Sequence, residues 1–204
     1  MEYTRISENI FNCDVCPTRC DGHSKGVYDF DSDVRLSEYY EEKIIAYINS
    51  KGKYTAKKTE KDGYPDLEIY TPDHQLKEYI EIKVQQRTFM NVRRSIPKAN
   101  LFPSETLALN LSDLERYFDI FHQEGKPLCI AWVLLNRPCI LQSDEYRVYV
   151  QKIEKLEEIF HEKRMTRRFR RESGIGDIVD NEHKGVVVNY HFSLKELEVW
   201  HVEM

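Results

Sequence analysis

The sequence predicts an α/β fold with a mixed β-sheet flanked by helices, from three features of its pattern. An amphipathic helix precedes a three-strand meander, a second amphipathic helix follows, and a nearly continuous apolar run then marks a strand covered on both faces. In the first helix, LSEYYEEKIIAYINSKGKY, apolar residues recur at 36, 40, 44, 45 and 48, and Gly52 stands where a C-terminal cap belongs. The meander is KYTAKKT, PDLEIY and LKEYIEIKVQ, with the last two strands joined by the turn TPDHQ. LSDLERYFDIFHQEG has apolar residues at 114, 117, 118 and 121, with Ser112 as the expected N-cap and Gly125 as the stop. KPLCIAWVLL is the buried strand, with Cys129 expected as a small core residue, and YRVYVQ alternates as a further strand. The pattern closes with a helix over KIEKLEEIFHEKRMTRRF and a strand, GVVVNYHFSLKEL, running into a short helix.

At 204 residues the chain has room for one main domain, expected over 34–204, with a loop-rich cysteine-containing element over 1–33. Its 13 Tyr, 9 Phe and 2 Trp suit a packed core rather than a disordered chain. No apolar run reaches the roughly 18 to 20 residues of a membrane span, and MEYTRISENIF is acidic where a signal peptide is basic and then apolar. The expectation is a cytoplasmic protein without membrane attachment. A net charge of −5 argues against whole-molecule attraction to nucleic acid, so any polyanion must be held by local basic patches.

The stretch YPDLEIYTPDHQLKEYIEIKVQQ carries the chemistry. With a turn over 72–75, Tyr70 faces Lys77, Glu68 faces Tyr79 and Asp66 faces Glu81, while alternation places Glu81, Lys83 and Gln85 on one face. Two carboxylates about 4 Å apart at an effective dielectric near 20 repel by roughly 4 kcal/mol. That is large beside a folding stability of about 5 to 15 kcal/mol. Lys83 offsets part of it, and a divalent cation between the carboxylates would remove it. A solvated face of ordinary Glu and Lys pairs is the plainer alternative.

Pro65-Asp66 and Glu81-Ile82-Lys83, one hairpin apart and behind a helix, resemble the signature of the PD-(D/E)XK nuclease superfamily, which includes type II restriction enzymes and archaeal Holliday-junction resolvases. The resemblance implies a restriction-endonuclease-like sheet and Mg²⁺- or Mn²⁺-dependent hydrolysis of phosphodiesters, by an endonuclease rather than an exonuclease. It implies Asp66, Glu81 and the Ile82 carbonyl as Mg²⁺ ligands, and Lys83 positioning or deprotonating the attacking water. Gln85, which extends the motif to E-x-K-x-Q, would orient a phosphate or water. Glu41, in the first helix ahead of Gly52, would complete the metal shell or hold a second ion, with Glu38 and Glu42 as alternatives should the helix register slip. DNA is expected ahead of RNA as the polymer bound, with the chain working as a homodimer or together with a partner protein. A catalytically silent nucleic-acid-binding module of the same fold and an RNA-directed nuclease are the alternatives.

Cys13, Cys16, Cys20 and His23 read C-x2-C-x3-C-x2-H, a spacing that suits tetrahedral zinc, with His161, His183 or His191 as substitutes for His23. Unliganded thiols and an iron–sulfur cluster are the alternatives. Two basic stretches are candidate phosphate contacts. One follows the motif strand with Arg87, Arg93, Arg94 and Lys98. The other, with Arg167, Arg168, Arg170 and Arg171 around Phe169, reads equally as a solvated helix end.

Overall fold

Residues 3–5, 30–141, 144–170, 178–179, 182–183 and 187–204 are described in a computed structural model of the chain. The expected zinc ligands Cys13, Cys16, Cys20 and His23 lie outside these residues, as does Arg171. In chain order the elements are β1 (Tyr3–Arg5), α1 (Phe30–Ser50), β2 (Thr55–Lys58), β3 (Leu67–Tyr70), β4 (Leu76–Gln85) and α2 (Val92–Ser95). There follow β5 (Thr106–Asn110), α3 (Leu111–Glu124), β6 (Leu128–Leu134), α4 (Pro138–Leu141), β7 (Arg147–Lys152) and α5 (Ile153–Lys163). The chain closes with β8 (Arg168–Arg170), β9 (Ile178–Val179), β10 (Glu182–His183), β11 (Val188–Ser193) and β12 (Glu198–Trp200). Among the described residues no helix is long and apolar enough to cross a membrane.

The central sheet is mixed, with seven strands in the order β1-β12-β7-β6-β4-β3-β2. Among the described residues only β4 and β6, side by side in the middle, run parallel. Every residue of β6 is buried, as its unbroken apolar run requires of a strand covered on both faces. One face packs Ile80, Ile82, Ala131 and Val133 against Ile44 and Ile48 of α1. The other packs Tyr79, Ile130, Trp132 and Leu134 against Leu114, Tyr117 and Phe118 of α3 and Leu156 of α5. Because β4 alternates, Glu81, Lys83 and Gln85 fall on this second face, opposite Ile130, Trp132 and Leu134. A row of polar groups therefore borders an apolar core.

The expected meander, buried strand and α3 are present, with three differences of detail. Helix α1 begins at Phe30, so the boundary placed after residue 33 falls inside it. The N-cap of α3 is Asn110, not Ser112, which sits within the helix; its stop is Gly125, whose φ of 61° suits a residue without a Cβ. Thr71 bonds Gln75 through both backbone and hydroxyl, which makes the loop one residue shorter than expected. Tyr70 accordingly pairs with Leu76, and a bulge at Lys77 returns Glu68 to Tyr79. That bulge absorbs the shift, so the ladder runs in the expected register as far as Leu67 opposite Ile80, one step short of Asp66 and Glu81.

A second sheet, β5-β11-β8, was not expected from the pattern. The helix expected to include Arg167 and Phe169 ends instead at Lys163, followed by a 3-10 turn over Arg164–Arg167 that leads into β8. Arg167, expected to contact phosphate, is only 5% exposed and pairs with Glu196 at 2.5 Å. Removing one member of a buried ion pair leaves the other charge unpaired, at a cost of about 3 to 5 kcal/mol. Arg167→Met should lower the unfolding free energy by about that much in a urea titration. Arg168→Met, on the exposed side of β8, should change it by less than about 0.5 kcal/mol.

Candidate active site

The carboxylate pair arises where β3 and β4 part. Their ladder begins at Leu67 opposite Ile80. Two residues further along β4, the Ile82 N–H donates to Oδ2 of Asp66 at 2.7 Å. A carboxylate thus takes the place of a strand carbonyl, just after Pro65, which has no N–H to contribute. Meanwhile the Thr59 N–H bonds the Asp66 carbonyl at 2.8 Å and holds the residue against the end of β2.

Glu81 is 2% exposed. Its Oε1 pairs with Nζ of Lys83, and its Oε2 is buried without a hydrogen bond of good geometry among the described residues, its nearest help being the Tyr117 phenol. Leaving such an acceptor unsatisfied costs about 1 to 3 kcal/mol or more. Burial, then the charge of Glu81, push Asp66 up to about 7, against the opposing bond from Ile82 and the charge of Lys83; Glu41 adds to the rise. Lys83 is held above the ordinary lysine range: burial works against its charge, and Glu81, Asp66 and Asp113 outweigh it. It is therefore an ammonium at neutral pH, a donor rather than a base.

The other expected residues are placed differently. Glu41 lies near enough for Asp66 to feel its charge, and its carboxylate pairs with Lys58 of β2 at 3.0 Å. Gln85 bonds backbone at both ends of its amide, accepting from the Ala108 N–H at 3.2 Å and donating to the Arg87 carbonyl at 2.7 Å. It ties β4 to β5 instead of turning to a substrate. Among the described residues, no three His, Cys, Asp or Glu side chains converge into a metal-binding group. Of the substitute zinc ligands, His161 sits 3.8 Å from Glu157, and His191 is buried against Phe89.

Three residues of α3 complete the surroundings, of which the sequence pattern gave Tyr117 only as an apolar helix position and Asp113 and Arg116 not at all. Asp113 reaches Lys83 at 3.9 Å, and Arg116 Nη2 contacts Asp113 at 2.9 Å and the Tyr117 hydroxyl at 3.3 Å. Burial, and then Glu81, raise the Tyr117 phenol far above its usual range, so it stays a neutral hydroxyl. Their spacing at i, i+3 and i+4 was visible as one helix face. What the sequence lacked was the sheet face that it meets.

The donor set suits a hard divalent cation. Mg²⁺ takes oxygen ligands, keeps several waters and is commonly held by one or two carboxylates together with substrate phosphate. Asp66 and Glu81 offer two repelling carboxylates and a buried, poorly satisfied oxygen, an imbalance that such an ion would relieve.

Basic residues from two separate segments share a support. Val92, Ile96 and Leu101 form an apolar cluster joined by Phe89 and Phe169, whose rings lie 5.1 Å apart. Around it Arg93, Arg94 and Lys98 are exposed beside α2, and Arg168 and Arg170 are exposed on β8. Arg87 lies 3.9 Å from Asp33, and the Arg93 guanidinium stands over the Phe102 ring at 5.1 Å.

No family model and no curated protein matches the chain. Among solved structures it is similar to Hjc of Archaeoglobus fulgidus, a Holliday junction resolvase from an archaeal hyperthermophile. The TM-score is 0.40 and the identity 10%, over 78% of this chain and 84% of that one.

Asp66 yields a stability prediction. Its folded pKa lies above the unfolded value of 3.8, so the folded state holds the proton more tightly and loses stability as pH rises from about 4 to 7. Asp66→Asn keeps an acceptor for Ile82 and removes the charge. At pH 8 without metal it should stabilise the protein by about 2 to 4 kcal/mol in urea unfolding and flatten that pH dependence.

Proposed function

We propose that the chain is a divalent-metal-dependent nuclease that hydrolyses phosphodiester bonds, with DNA as its polymer. The observation that carries this reading is the Asp66–Glu81 pair: a carboxylate raised to about 7 beside a buried, poorly satisfied carboxylate oxygen, with an ammonium alongside. Such an arrangement weakens the folded protein, and an entering divalent cation would relieve it. Mg²⁺ held by Asp66 and Glu81 would supply Lewis acidity at a phosphate oxygen and a more acidic bound water.

The chain's own groups cover the remaining requirements. Lys83 keeps its charge and donates hydrogen bonds to the attacking water or to the developing negative charge, a role that does not need it to lose a proton. Glu81 and Asp113 hold that ammonium in place from two sides. Glu41 acts through the field it adds at Asp66, with Lys58 fixing its position. The exposed arginines and lysine around the Phe89–Phe169 cluster offer a track for the phosphate backbone beyond the site, reached from Lys83 through Gln85 and Arg87.

The test is cleavage of labelled single- and double-stranded DNA and RNA with Mg²⁺ or Mn²⁺, beside EDTA controls. Lys83→Ala is expected to lower the cleavage rate by about 100- to 1,000-fold, the range for loss of one preorganised donor, while its melting profile stays cooperative. Undiminished cutting by both Lys83→Ala and Asp66→Ala would remove this site from the chemistry. Binding without cutting under every metal would favour a silent binding module, and cutting of RNA alone would change the polymer.

A further inference from the structure

Arg116 stands on α3 beside Asp113 with its polar groups incompletely satisfied. Its Nη2 serves both Asp113 and Tyr117, its Nε is buried without a partner among the described residues, and its side chain is 41% exposed. Arginine frequently meets a carboxylate through two parallel bonds. Here a single nitrogen makes both polar contacts, while the guanidinium stands over the Tyr117 ring, 5.0 Å from its centroid. Gly63 lies against the stem of Arg116, since a Cβ there would meet its Cδ at 3.8 Å, which places the guanidinium beside the loop that leads into Pro65 and Asp66. Asp113 meanwhile is shared between two cations, Arg116 and Lys83.

Local charge gives this position a meaning. Asp66, Glu81 and Asp113 carry three negative charges when ionised, and Lys83 and Arg116 carry two positive ones. The site is therefore one charge negative by itself and one charge positive with a divalent cation, which matches a phosphodiester. We infer that Arg116 is a substrate-binding residue that takes a phosphate oxygen of the strand lying over Lys83, with Asp113 and Tyr117 orienting it. The inference rests on the nuclease reading above and adds to it a phosphate subsite on α3. Arg116 suits the task because its fork keeps free N–H groups while one nitrogen stays anchored.

The test measures binding of a fluorescent DNA duplex by anisotropy across a salt series. Ca²⁺, a larger ion with looser coordination, replaces Mg²⁺, and the duplex is checked intact on a gel. Arg116→Met is expected to weaken binding about 10-fold and to reduce the slope of log K against log salt by about 1, as for loss of one phosphate contact. Arg116→Lys should keep the slope and still lose affinity, because a point charge does not reproduce the fork. Arg35→Met, an exposed arginine of α1, should change neither. A wild type that cuts DNA while Arg116→Met binds with unchanged affinity and slope would overturn the phosphate subsite alone. A well-folded wild type that neither binds nor cuts would overturn the nuclease reading and the subsite with it. Should Arg116→Met fail to fold, Arg116→Lys decides: binding and cleavage equal to wild type would overturn the inference.

Discussion

The point on which the site depends is the place where β3 stops and β4 goes on. A continuing antiparallel ladder would give the Ile82 N–H a backbone carbonyl. It meets the Asp66 carboxylate instead, and that substitution brings a second acid beside a buried Glu81. The surrounding features answer this one. The apolar faces of β4 and β6 lock the strand in register, so that Glu81 and Lys83 cannot turn to solvent without exposing Ile80 and Ile82. Helix α1 brings Glu41 and β2 brings Lys58, a nearly neutral pair at the edge of the site. Helix α3 closes the far side with Asp113, Arg116 and Tyr117.

Much of this was legible in the sequence because strand alternation is unforgiving. Once Ile80, Ile82 and Val84 were assigned to one face, Glu81 and Lys83 had no other place to go. The hairpin tolerated an error at its tip, since the bulge at Lys77 corrected the one-residue difference in the loop before it reached Asp66. Gln85 shows where such reading stops. Its position on the right face was correct, yet the β5 backbone that takes its amide comes from a strand that the pattern did not reveal. The site roles of Asp113, Arg116 and Tyr117 were hidden for a related reason: a helix announces its own face, and only tertiary packing says what that face meets.

Arg167 illustrates the same limit among charges. Composition alone placed it in a basic cluster with Arg168 and Arg170. Packing separates them, because the chain leaves α5 at Lys163 and turns Arg167 inward to Glu196 before β8 alternates its two arginines to the outside. Phe169, between them, turns toward Phe89 and so joins β8 to the segment that carries Arg93 and Arg94. A basic surface assembled in this way is a product of the fold rather than of a run of residues.

The most direct measurement is the titration of the Asp66 side-chain carboxyl by carbon-detected NMR, with and without Mg²⁺. The account predicts a midpoint near 7 in metal-free protein and a fall to or below the ordinary aspartate range, about 3.9, when Mg²⁺ is added. A midpoint already in that range, unmoved by Mg²⁺, would contradict it, since there would then be no strained carboxylate pair for a cation to relieve.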